Sequence, residues 1–409
     1  MAQSAVPAVT RREALRRAAV LTVAIAFADR AAAVAPRASD GRWPSDADRR
    51  RLVADADRYL TVRPRTTTSA IAPRSPGGPK DYYSEADYWW PDPANPAGPY
   101  VRRDGLSNPD KFDAHRDAMI ELSLAVPALV AAWRLTGDRR YARHAETFLD
   151  AWFVDPATAM NPNLQYAQAI IGVNTGRGIG VIDTLHLVEV AQAVMVLEGA
   201  GGVAVPARFG LTHDRAIRDW FAAYLQWLTT SSNGTEERDE RNNHGTCWAL
   251  QAAAFARLTG DTAVIAFCAD RFRERLIPDQ IAPDGSQPLE LARTKPFGYA
   301  LFNLDALAAL ARIASTPGDD LWRFATPDGR SLAGALAFLY PFLRDKRTWP
   351  YPHDVEYFDQ WPIRHVSLLF GAEALHQHRY RRLWRELPPL PPVREVIRNV
   401  PLRQPTLWM

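Results

Sequence analysis

Three short runs of this 409-residue chain bring together side chains that can hold an anion and move a proton. The first is Arg241-Asn242-Asn243-His244, directly before an apolar stretch that ends at Leu258. Adjacent asparagines are poor helix-interior residues but good helix starts, where a side-chain oxygen satisfies free backbone N–H groups. An amide and an imidazole would then share the mouth of one helix. The amide can bind a carboxylate, and the imidazole can transfer a proton near neutral pH. The second run leads from Asp284-Gly285-Ser286 through Arg293 and Lys295 to Tyr299, with the guanidinium on a loop and the phenol in a first helical turn. The third is Asn161 to Gln168, followed by Gly172 and Gly176-Arg177-Gly178. Each alone reads as a capping loop. Together they are glycine-punctuated polar loops entering helices, the positions where a helical scaffold carries function.

Residues 61–110 are of another kind, rich in Pro, Gly, Asp and aromatics. They contain Tyr88-Trp89-Trp90-Pro91 and Gly98-Pro99-Tyr100-Val101-Arg102-Arg103-Asp104-Gly105. Prolines rule out regular helix, so an ordered lid loop over 80–110 must hold these rings. Flat rings beside arginines suit a chain of sugar acids, the rings stacking on pyranose faces and the arginines pairing with carboxylates. The alternative is a lid that packs its tryptophans into the core. Trp349-Pro350-Tyr351-Pro352 is a second aromatic loop, either the other wall of a cleft or packing at one end of the fold.

The elements that must position these residues are helical. Apolar residues recur at three- and four-residue spacing over 115–135, 139–153, 179–197, 214–228, 246–258, 262–276, 297–313 and 331–343, and strand-like alternation is nearly absent. Leu135-Thr136-Gly137-Asp138 recurs as Leu258-Thr259-Gly260-Asp261, predicting in each copy a helix that ends at Gly and a next one capped by Asp. Stacked helical hairpins form a solenoid or close into a ring. The expectation is an all-α fold, an α/α toroid or incomplete barrel of hairpins, with long aromatic loops around a cleft and one catalytic domain over 61–409.

The N-terminus reads as an export signal over 1–33, followed by a linker and helix over 34–60. Thr10-Arg11-Arg12-Glu13-Ala14-Leu15 resembles a twin-arginine motif, and the apolar segment Ala18 to Ala28 is too short to span a membrane. The expected location is therefore periplasmic or secreted, with no stable membrane insertion after cleavage. The net charge of +3 lies within the first 35 residues, leaving a neutral body that argues against a nucleic-acid binder. Cys247 and Cys268 imply no disulfide framework and read as buried thiols, and His376 and His378 read as surface residues.

With Asn242-Asn243-His244 and Trp248, the Asp284-to-Tyr299 segment and the Tyr88-to-Gly105 loop in view, the chain resembles the alginate lyase family of polysaccharide lyases. The resemblance runs from about Asp81 to Phe370. It implies an α/α toroid, β-elimination on an acidic polysaccharide, no cofactor and no metal. It also implies that Asn243 and Arg293 neutralise the substrate carboxylate while His244 and Tyr299 handle protons. Asn242, Tyr88, Trp89, Trp90, Arg102, Arg103, Gln168, Arg177, Trp248, Lys295, Trp349 and Tyr351 are the expected substrate contacts. Arg293 and Tyr299 stand six apart, closer than in alginate-specific members, which bears on the choice of uronate more than on the reaction. Two other readings remain: a toroid glycoside hydrolase using two of Asp104, Asp183 and Glu290, and a polysaccharide-binding protein without activity. No metal-ligand spacing, nucleophile elbow or phosphate loop is present in the sequence.

Overall fold

The computed structural model describes residues 44–400 and 402–409, so the expected export signal lies outside the described residues. The chain divides after Asp48, and Arg49–Met409 forms one compact unit. The helix α1 (Asp46–Asp57) leads into it. The first hairpin joins α2 (Ala114–Thr136) to α3 (Arg139–Phe153) through Gly137 at φ 75° and the Asp138 cap, whose carboxylate accepts from Arg140 N. Then come α4 (Leu187–Leu197), α5 (Asp214–Thr230) and α6 (Ser232–Asp239). The hairpin joint recurs between α7 (Asn243–Thr259) and α8 (Thr262–Arg271), with Gly260 at φ 85° and Asp261 accepting from Ala263 N and Val264 N. The repeated Leu-Thr-Gly-Asp thus makes one turn twice. Glycine enters the left-handed region without a Cβ penalty, and aspartate satisfies the next helix's free N–H groups.

Short helices α9 (Ile277–Gln280) and α10 (Pro288–Leu291) precede α11 (Pro296–Ala314) and α12 (Leu332–Arg344). The chain closes with α13 (Val366–Ala374), α14 (His378–Glu386) and α15 (Arg394–Arg398). The central helix is α7, packed against α4, α5, α8 and α11. Buried alanines (Ala249, Ala252, Ala253, Ala254, Ala256) let its neighbours approach closely, while buried Phe255 fills the spaces between them. Burying a side chain such as Phe255 stabilises by about 1.5–3 kcal/mol. Three segments, Ala114–Thr136, Gly178–Leu197 and Pro296–Ala314, are long and apolar enough to cross a membrane, yet 78%, 89% and 89% of their apolar windows are buried inside the fold. Cys247 and Cys268 are free and buried, and His376 and His378 are exposed.

Departures from the sequence reading are local. The segment Gly178–His186 is 3-10 rather than α-helical, and Phe272–Leu276 forms a π turn. The lid contains strands: β1 (Tyr83–Glu85), β2 (Trp89–Trp90) and β3 (Val101–Arg102), with β4 (Tyr166–Ala169) arriving from the third polar loop. β1 pairs parallel with β4, and β2 antiparallel with β3, Trp89 facing Arg102. Two- to four-residue strands are too short to show alternation in sequence.

The end of α6 lies against the start of α7 at Gly245, where an added Cβ would collide with the Glu240 carbonyl oxygen. Gly245→Ala should therefore destabilise the fold by about 1–3 kcal/mol, since backbone must shift to relieve the clash. Chemical denaturation checks this; an unchanged midpoint would contradict the close approach.

Candidate active site

The polar loops converge on a cleft of about 420 Å³. Its floor is the N-terminus of α7. Asn242 is the cap, its Oδ1 accepting from His244 N at 3.0 Å, so its side chain is spent on the helix. Asn243 is buried. Its backbone N and Nδ2 donate to the two oxygens of Glu290, at 2.8 and 2.7 Å. Burial raises the pKa of Glu290, opposed by those two hydrogen bonds and by Arg293. Accepting at both oxygens, Glu290 fixes the orientation of the Asn243 amide.

Beside it, His244 Nδ1 lies 2.9 and 3.0 Å from the two oxygens of Glu237, contributed by α6. Burial pushes Glu237 up to about 7, with His244 opposing. Burial also works against a charged His244, but Glu237 outweighs it and lifts the imidazole above its ordinary value. With Nδ1 engaged, Nε2 is the ring nitrogen left for a ligand in the cleft.

The opposite wall carries Tyr299, in the first turn of α11. Its hydroxyl is 2.7 Å from Tyr88 OH and 3.3 Å from Arg293 Nη2, and the Arg293 guanidinium lies 4.4 Å over its ring. Burial pushes the Tyr299 phenol up, while Arg293 and the bond to Tyr88 pull it back. Arg293 is held in turn by Asp104, Nη2 to Oδ1 at 3.1 Å. Despite burial, Arg293, Thr294 and Arg102 keep that carboxyl down at about 2. Gln168, at φ 50°, accepts from Arg177 Nη2 at 3.2 Å and donates to Asp183 at 3.0 Å. A non-glycine residue in that region is strained and is common at ligand sites.

Ten of the expected residues line this cleft: Asn242, Asn243, His244, Arg293, Tyr299, Tyr88, Trp89, Arg102, Gln168 and Arg177. Six do not. Neighbouring strand residues face opposite sides, so Trp89 and its partner Arg102 face the cleft. Trp90 turns away to donate to Leu106 O, with Arg103 over its ring at 5.2 Å. Trp248 is buried one turn into α7 and donates to Leu228 O at 3.1 Å. Trp349 packs on Phe297 and Phe342, with Tyr351 against it, so the second aromatic loop packs one end of the fold. Lys295 lies behind Tyr299 in a smaller pocket, paired with Glu356 at 3.0 Å, because a buried ammonium needs a carboxylate. The cleft also contains Asp87, Arg116, Asp183, His186, Glu240, Arg398 and Asn399. Burial and Arg403 push His186 well below the ordinary imidazole range, and its Nδ1 accepts from Arg403. No group of three or more His, Cys, Asp or Glu suited to a metal occurs among the described residues.

The sequence profile of a family described as Alginate lyase matches residues 66–349. Among solved structures, the chain is similar to an alginate lyase from Bacteroides ovatus, at 33% identity and TM-score 0.75 over 88% of this chain and 92% of that one. It also shares its fold with alginate lyase A1-III from Sphingomonas species A1, at 16% identity and TM-score 0.52 over 89% and 94% of the two chains. A variant of that Sphingomonas enzyme complexed with a tetrasaccharide matches at 16% identity and TM-score 0.54, over 89% and 93%. No curated protein matches. The fold is an α/α toroid of polysaccharide-lyase type. The chain belongs to the alginate lyase family.

Two outcomes follow from this geometry. Trp248→Ala should cost about 3–5 kcal/mol of stability with little change in the affinity of any folded fraction for polymer. Weaker binding at unchanged thermal stability would return Trp248 to the cleft. Glu237→Gln should lower the His244 pKa, because the charge that lifts it is gone. NMR titration of the ring reads this directly, and an unmoved midpoint would contradict the pairing.

Proposed function

We propose that this chain is a polyuronate lyase that cleaves 4-linked chains of the alginate or glucuronan type by β-elimination. The supporting observation is the Tyr299 hydroxyl, held between Arg293 and Tyr88 in the cleft that also contains Asn243 and His244. Removing the C5 proton of an ionised uronate builds a dianion-like enolate, so donors must already stand at the carboxylate. Asn243 and Arg293 supply them, each held by a carboxylate behind it. The C5 proton passes to the base, the electron pair forms the C4–C5 double bond, and the C4–O4 bond breaks. O4 leaves with its electrons and takes a proton from the acid, giving an unsaturated uronate at the new non-reducing end.

In mannuronate and glucuronate the C5 hydrogen and O4 lie on one face of the ring. One residue can therefore remove the first proton and return it to O4, and Tyr299 takes that part. In guluronate the two groups lie on opposite faces, and His244, held by Glu237, stands as the second base. Tyr88, Trp89, Arg102, Gln168 and Arg177 carry the neighbouring sugars. The hydrolase reading needs two carboxyls flanking the bond. Of Asp104, Asp183 and Glu290 only Asp183 lines the cleft, and it is bonded to Arg116, Tyr82, Ser84 and Gln168. The Arg11-Arg12 leader supports an exported enzyme that meets its polymer outside the cytoplasm.

Elimination creates an ultraviolet-absorbing end, which is measured on polymannuronate, polyglucuronate and polyguluronate. We expect polyguluronate to be the slowest, Tyr299→Phe to abolish turnover on the other two, and the Phe variant still to bind polymer. The rate should rise with pH on the alkaline side, because only the phenolate can take the proton and burial raises its pKa. Fastest cleavage of polyguluronate, or substantial turnover by the Phe variant, would sink the assignment of Tyr299.

A further inference from the structure

The family match ends at residue 349, yet the cleft is completed by residues well beyond it. Arg398, the last residue of α15, is partly buried at the edge of the cleft with Asn399. Its Nη1 lies 2.5 Å from Asp87 Oδ1, and its Nη2 lies 2.6 Å from Glu395 on its own helix. Asp87 is buried and also meets Arg116 Nη1 at 2.7 Å. The next residue is Tyr88, whose hydroxyl is 2.7 Å from that of Tyr299. One chain of contacts therefore runs from the C-terminal helix through the lid to the proposed base. The same helix has a second, exposed anchor. Arg394 pairs with Asp113 at 2.9 Å and with Asp117 at 2.5 Å, both at the start of α2 and outside the cleft.

We infer that Arg398 is a positioning residue for the reaction, holding the Asp87–Tyr88 segment so that the Tyr88 hydroxyl meets Tyr299. This rests on the lyase reading above. A salt bridge to the lid backbone's neighbour sets where the Tyr88 ring stands. A ring displaced by an ångström loses its hydrogen bond to Tyr299 and with it the alignment of the proton donor and acceptor. The inference separates two functions of one helix, because Arg394 docks it on the surface while Arg398 aligns the chemistry.

The test is steady-state elimination on the best polyuronate with four variants. Arg398→Ala should lower kcat by about ten- to a hundredfold with KM changed less than about threefold, the scale on which misplaced groups lose rate. Arg398→Lys, which keeps a cation opposite Asp87, should recover part of that loss. Arg394→Ala, which cuts only the outer anchor, should stay near wild type. On a Tyr88→Phe background, Arg398→Ala should cost little more, since the contact it protects is already gone. Equal losses for Arg394→Ala and Arg398→Ala, or full additivity with Tyr88→Phe, would overturn the inference in favour of simple docking of the helix. Should Arg398→Ala fold poorly, Arg398→Lys and its cycle with Tyr88→Phe decide the matter. A wild-type protein that makes no unsaturated ends would instead overturn the lyase reading itself.

Discussion

Two buried carboxylates under the first turn of α7 hold the site together. Glu290 and Glu237 are both withdrawn from water, and a carboxylate in that position needs donors or a partner charge to remain ionised. Asn243 offers the first a backbone N–H and an amide N–H. His244 offers the second its Nδ1. The cost of desolvating two acids is offset by fixing the two residues that line the cleft. Asn243 cannot rotate without stranding Glu290, and His244 cannot turn without stranding Glu237. The rigidity that chemistry on a flexible polymer requires is thus built into the core.

The opposite wall is fixed by different means. Tyr299 stands in a first helical turn whose N–H groups at Phe297 and Gly298 are capped by Asp354 at 2.8 and 2.9 Å. The lid reaches it from above through β2 and β3, and two-residue pairing is enough to sort the lid's side chains. Strand alternation sends Trp89 and Arg102 inward and Trp90 and Arg103 outward. The two walls come from segments far apart in sequence, and the carboxylates of Asp87 and Asp104 tie lid residues to Arg398 and Arg293.

What was legible in the sequence was whatever is decided locally. The Asn242 cap, the two Gly-Asp hairpin joints and the long helices all depend on neighbouring residues, and they formed as expected except where Gly178–His186 is 3-10 and Phe272–Leu276 turns π. The Asn-His and Arg-Tyr pairs were legible as chemistry because both sit in polar loops that enter helices, the positions where a helical scaffold carries function. Glu237 was not, because α6 buries only Asn233, Gly234 and Glu237 and so has no apolar period to announce a helix. Arg398 and His186 were hidden for another reason: nothing in their local sequence says which distant carboxylate or arginine they meet. Trp248 shows the reverse error. It is close to His244 in sequence, but one turn deeper the helix is already surrounded by its neighbours, and a large ring there fills the core.

The cations of the cleft are balanced before any substrate arrives. Arg116 meets Asp87, Asp113 and Asp183, Arg398 meets Asp87 and Glu395, and Arg293 meets Asp104. Arg177 differs, because its hydrogen bonds go to the neutral carbonyl and amide oxygens of Gln168, and burial lowers its pKa. A partly buried guanidinium without a carboxylate gains more from an anionic ligand than one already paired. On the proposed mechanism, the ground-state attraction for a uronate chain would concentrate at Arg177, away from Tyr299 and His244. Arg293, already paired with Asp104, would then add most when the enolate doubles the charge beside it. The proposed mechanism thus divides binding and rate acceleration between different arginines, the division a catalyst requires if tight ground-state binding is not to offset its effect on the transition state.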